Sequence, residues 1–133
     1  MNAVDKLLAY DGGLIDTPTG EVKLKLKKLN GFEMTFPIKA VDPEVASELQ
    51  EAIIEMDTKS KKMSMNGAYN VKVMTIVEGC PDVFKNKDLQ KKFGAVSPKD
   101  LVKKLLLDGE MEVLRSEIDR LSGFDEDEEK VKN

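Results

Sequence analysis

The stretch from Asp88 to Phe124, DLQKKFGAVSPKDLVKKLLLDGEMEVLRSEIDRLSGF, constrains the fold most, because it carries helix start and stop signals in an unbroken order. A first short helix is predicted over Asn86–Phe93, with Gly94 as its stop. Ser97-Pro98 opens a second. The Ser97 hydroxyl can accept from a free N–H of the first turn, Pro98 has no N–H to leave unpaired, and Asp100 stands in for the glutamate of a capping box. Leu101, Val102, Leu105 and Leu106 form its buried face. Asp108 can cap a third helix, predicted over Gly109–Ser122, with a stripe of Met111, Leu114, Ile118 and Leu121. Gly123 falls where a left-handed C-cap is wanted, and Phe124 is placed to fold back on the last turn, as in a Schellman motif.

Upstream, the pattern changes from helical to alternating. Val22, Leu24 and Leu26 alternate with lysines, and Phe32, Met34, Phe36 and Ile38 alternate with Glu33, Thr35 and Pro37. Asn30-Gly31 lies between the two runs. A two-residue Asn-Gly loop would split the apolar faces, since it sets Leu24 and Leu26 opposite Pro37 and Thr35. A three-residue loop, Leu29-Asn30-Gly31 with Gly31 left-handed, pairs Leu26 with Met34, Leu24 with Phe36 and Val22 with Ile38, and sets Lys27 against Glu33. Pro37 cannot donate to a ladder, so its strand is expected at an edge or near its end.

The rest is simpler. Asn2 can cap a short helix to Tyr10, with Val4, Leu7 and Leu8 on one face and Asp11-Gly12-Gly13 as its stop. Asp42-Pro43 opens a helix whose face is Val45, Leu49, Ala52, Ile53 and Met56. Asp57–Gly67 is polar and lysine-rich without apolar periodicity, and reads as a loop. Asn70–Glu78 fits a strand by its β-branched content and a buried helix equally; a helix capped by Asn70 and stopped by Gly79 is preferred. Pro81 ends any regular element by Cys80. These features make an α+β chain: an N-terminal antiparallel β-hairpin or small sheet, then a mainly helical remainder. Residues 1–124 read as one domain, and 125–133 as an acidic, disordered tail.

Composition excludes several function classes. The body is nearly neutral: the tail carries five acids and two lysines of a total of 25 acids and 21 bases. A basic field for nucleic acid is missing, and membrane attraction has no support. No apolar run reaches the roughly 20 residues of a membrane span, and the opening MNAVDKLLAYDGG is too short and too acidic for a signal peptide. One cysteine, Cys80, forbids an intrachain disulfide and fits a reducing cytoplasm. Histidine is absent, which removes the commonest general base and metal ligand. Neither a phosphate-binding glycine loop nor zinc or calcium spacing is present, so neither catalysis nor a cofactor or metal is expected. With aromatics at 5 %, the core must be built from Leu, Val, Ile and Met.

The order of signals resembles the XkdN-like tail assembly chaperones of phages and phage-like elements of Gram-positive bacteria. The likeness runs through Leu7–Asp11, Pro18-Thr19, Glu21-Val22, the hairpin segments Val22–Leu29 and Phe36–Val41, and Ile76–Gly79. It is best at Asp88-Leu89, Lys92–Gly94, Leu101, Lys104–Leu107, Gly109-Glu110, Glu117-Ile118 and Leu121–Phe124. Pro37 and Cys80-Pro81 depart from it. The resemblance implies a non-catalytic protein that binds the tape measure protein in the host cytoplasm and keeps it soluble until the tail tube protein polymerises around it. Such a protein is absent from the finished virion. Self-association through exposed apolar surface fits the same picture, and a structural minor tail or adaptor component is the alternative. The expected partner contact lies on the helical region, at Phe93, Leu101, Leu105, Leu106, Met111 and Leu114.

Overall fold

The structure, a computed structural model, describes residues 2–59 and 64–124. It is α+β, with a two-stranded antiparallel hairpin near the N-terminus and helices after it. The expected acidic tail, 125–133, lies outside the described residues.

Helix α1 spans Ala3–Ala9, and the Asn2 side chain accepts from the Asp5 N–H at 2.8 Å, as its cap position requires. A single 3₁₀ turn, Gly12–Leu14, leads to strand β1, Thr19–Leu26, which pairs with β2, Phe32–Lys39. Their register corrects the sequence expectation. Leu26 faces Phe32, Leu24 faces Met34, Val22 faces Phe36 and Gly20 faces Ile38, a slip of two residues. The loop is five residues long, a 3₁₀ turn at Lys27–Leu29 followed by Asn30 and Gly31, both left-handed at φ 56° and 78°. Two contacts pull Lys27 out of the ladder. The Gly31 N–H takes the Leu26 carbonyl at 2.9 Å, and the Lys27 N–H donates to the Glu110 carboxylate at 3.2 Å. Because side chains alternate with period two, a slip of two leaves every residue on its expected face. Lys23, not Lys27, reaches Glu33, at 3.3 Å on the exposed side.

Helix α2, Pro43–Lys59, begins as expected: the Glu44 N–H donates to the Asp42 side chain at 2.8 Å. Val45 and Leu49 are half-buried, whereas Ala52, Ile53 and Met56 lie outside the residues whose side chains are described. Helix α3 spans Ser64–Gly79. The helical reading of Asn70–Glu78 holds, but Asn70 is not its cap, and the segment expected as a loop at Asp57–Gly67 is helix at Asp57–Lys59 and Ser64–Gly67, while 60–63 lie outside the described residues. Helix α2 packs on α3, so tertiary contact carries each helix beyond the apolar stripe that the sequence shows. Short helix α4, Pro81–Phe84, was not foreseen.

Helix α5, Lys87–Lys92, is capped by Asn86, whose side chain accepts from the Leu89 N–H at 3.0 Å, and ends at Gly94 with φ 67°. Helix α6, Pro98–Leu105, has the expected Ser97 cap, its hydroxyl accepting from the Asp100 N–H at 3.0 Å. The Asp100 carboxylate reaches back to the Val96 N–H, also at 3.0 Å. Helix α7, Asp108–Leu121, starts one residue before expectation. Asp108 is its first residue, and Glu110 reaches back to the Leu107 N–H at 2.8 Å. It ends in the expected Schellman geometry: the Phe124 N–H donates to Asp119 O at 2.9 Å and the Gly123 N–H to Arg120 O at 3.1 Å, with Gly123 at φ 101°.

The inner face of the hairpin, Val22, Leu26, Phe36 and Ile38, packs with α3, α4, α6 and α7 in one core. Phe36 stacks on Phe84 with centroids 6.0 Å apart. Gly79 lets α3 pass α7 closely, since a Cβ there would come within 2.6 Å of Ile118. Lys72, largely buried on α3, is tied to Asp108 and, at 2.9 Å, to Glu112 of α7. The hydrogen bond to Asp108 raises the Lys72 pKa against the opposing effect of burial.

Candidate partner-binding groove

Helix α2 packs on α3, and α3 on α7. Where α2 enters and α7 ends, the three helices leave a groove of about 470 Å³. One wall comes from the start of α2: Val41, Pro43, Ala46, Leu49 and Gln50. Pro43, Ala46 and Leu49 share a helix side by their three-residue spacing. Val71 and Thr75, one turn apart, come from α3, and Arg115, Asp119 and Ser122 come from α7. Phe124 stands at the lip, 71 % exposed. The Schellman turn folds Phe124 back toward the last turn of α7, as expected, and so places it on the groove that Asp119 and Ser122 also line. Ser122 ties the two ends of the groove together. Its hydroxyl accepts from the Val41 N–H at 2.9 Å and donates to Ile118 O at 2.8 Å.

The polar edge is one ion pair. Arg115 Nε lies 3.3 Å from Asp119 Oδ2, but the Nε–H has no hydrogen-bond acceptor among the described residues. Partial burial raises the Asp119 pKa, and the neighbouring guanidinium opposes that rise. Next to the groove runs a more polar trench of about 570 Å³, lined by Asp16, Thr17, Pro18, Lys39, Asp42 and Glu78 among others, and sharing Val41, Pro43 and Ser122 with it.

The contact residues expected from sequence lie elsewhere. Leu101, Leu105, Leu106, Met111 and Leu114 are buried in the core, and Phe93 is half-buried against it. Their helical spacing reports burial inside the molecule, which is the commoner cause of such a stripe. The groove residues escaped sequence reading because Val41 and Ala46, Val71, and Phe124 come from three separate segments. A second apolar surface is α1, where Val4, Leu7 and Leu8 form the expected face, yet no residue of the helix is buried.

Nothing in the described residues groups His, Cys, Asp or Glu for a metal ion, and no described helix is long and apolar enough to cross a membrane. Cys80 is fully buried, and burial pushes its thiol up to about 12, far from the range of a reactive thiolate.

The fold is similar to that in the crystal structure of the protein YqbN, with a TM-score of 0.57 and 21 % identity over 88 % of this chain and 99 % of that one. That likeness shows the fold alone. Comparison with curated proteins gives no match. The family model for phage XkdN-like tail assembly chaperone proteins matches residues 4–133, nearly the whole length. The helix punctuation, the hairpin and this match converge: the chain belongs to the XkdN-like tail assembly chaperone family.

Proposed function

We propose that the chain binds the tape measure protein in the host cytoplasm during tail morphogenesis, keeps its apolar helices soluble, and leaves before the virion is complete. The observation that supports this reading, beside family membership, is the groove between α2, α3 and the end of α7. A tape measure protein is a long helical protein with apolar stripes. An apolar stripe on a helix needs a trough with apolar walls and a polar edge, and helix-in-groove docking is the usual way such a stripe is covered. Val41, Ala46, Leu49, Val71 and Phe124 supply the walls, and Arg115 and Asp119 the polar edge. In this proposal Phe93, Leu101, Leu105, Leu106, Met111 and Leu114 belong to the core that holds α3 and α7 in place.

Co-expression with the cognate tape measure protein tests it. The expected result is more soluble tape measure protein and a complex that co-purifies, both reduced by Ala46→Glu. Unchanged solubility, with each protein well behaved separately, would overturn the proposal. Mass spectrometry of purified particles is the second measurement. Stoichiometric recovery of the chain there would instead favour a structural tail or adaptor role.

A further inference from the structure

Among the described residues, two apolar surfaces lack partners, and they complement each other. Helix α1 presents Val4, Leu7 and Leu8 on one side, with Leu7 75 % and Leu8 78 % exposed. Seven residues are too few for a stable isolated helix in water, so its helical form calls for an apolar surface to rest on. The groove offers one. We propose that α1 of one copy docks in the groove between α2, α3 and the end of α7 of a second copy, so that two chains exchange N-terminal arms.

The placement of the arm supports a second copy as occupant. Its root is held to the body by the Ala40 N–H donating to Pro18 O at 2.9 Å. Asp16, Thr17 and Pro18 line the trench that shares Val41, Pro43 and Ser122 with the groove. Root and groove therefore occupy one face, as a self-complementary twofold interface requires. The linker Asp11–Thr17 is folded into local turns, with the Asp11 side chain accepting from the Gly13 N–H and Asp16 from the Thr17 N–H, each at 2.9 Å. In that conformation none of the residues of α1 is buried and none lines its own groove. The inference uses the geometry of the groove and does not depend on what client the groove takes.

Sedimentation velocity of the full chain alone, over a wide concentration range, tests it. The wild type is expected to pass from monomer to dimer as concentration rises. Leu7→Asp with Leu8→Asp, on a helix that contributes nothing to the core, should weaken association at least about tenfold. Ala46→Glu should do the same, and Phe124→Ser, at the exposed lip, replaces it if Ala46→Glu lowers the melting temperature. An equimolar mixture of the arm variant and the groove variant should restore a dimer, weaker than the wild type because one arm of two is docked. A wild type that stays monomeric, as it would if α1 folded onto its own groove, overturns the proposal. So does a dimer indifferent to the arm substitutions, or a mixture that stays monomeric. Since no tape measure protein is present, these failures would leave the proposed function standing, and failed co-expression would leave the dimer standing.

Discussion

Gly79 shows how much one residue can carry without a side chain. Any Cβ at this position meets Ile118 atoms at 2.6 to 2.8 Å, and Ile118 is fully buried on α7. Overpacking of this kind costs about 1–3 kcal/mol. Gly79→Ala should therefore lower the urea midpoint by a corresponding amount without changing the slope of the transition. The equivalent substitution at Gly109, where a Cβ meets nothing, should be tolerated. Sequence reading makes Gly79 the stop after a helix ending at Glu78, whereas α3 includes Gly79 as its last residue and uses it for a close helix crossing, which is invisible in a linear string. Local devices fared better. The caps at Asn2 and Ser97 and the left-handed Gly123 depend only on residues within four positions, and the structure has each of them.

Glu110 works at the scale of elements. Its carboxylate accepts from Leu107 at the start of α7 and from Lys27 in the hairpin loop, at 2.8 and 3.2 Å, and so clamps the hairpin to the helix. Glu110→Ala would leave two backbone donors of a largely buried site without their acceptor, at a cost of about 2 kcal/mol. Glu110→Gln keeps one carbonyl acceptor and should lose less. Chemical denaturation of the two variants checks the order, and equal losses would mean that the clamp contributes little. The same contact explains the hairpin register. Alternation in sequence assigned the faces of both strands correctly, but loop length depended on a glutamate more than eighty residues away. Helix lengths in α2 and α3 were likewise underestimated, because their mutual packing replaces the apolar periodicity that sequence reading looks for.

For the whole molecule, the arm and the proposed client require the same groove. An amphipathic helical peptide from the tape measure protein, added to the dimer, should convert it to a complex containing one chain and one peptide. Sedimentation would show the loss of dimer, and a dimer that persists with peptide bound would place the client elsewhere. Leu7→Asp with Leu8→Asp should tighten peptide binding severalfold, since removing a competitor from the groove raises the population open to the peptide.

Most element types, most of the caps, the α+β order and the family are legible along the chain, because these depend on near neighbours and on hydrophobic period. Tertiary structure alone decided the hairpin register, the burial of Leu101, Leu105, Leu106, Met111 and Leu114, and the groove. Each of those depends on which distant segments meet: Glu110 at Lys27, α3 against α7, and Val41, Ala46, Val71 and Phe124 around one trough. A periodic apolar stripe says that a face will be covered. Only the packed molecule shows whether its own core has covered it or has left it for another protein.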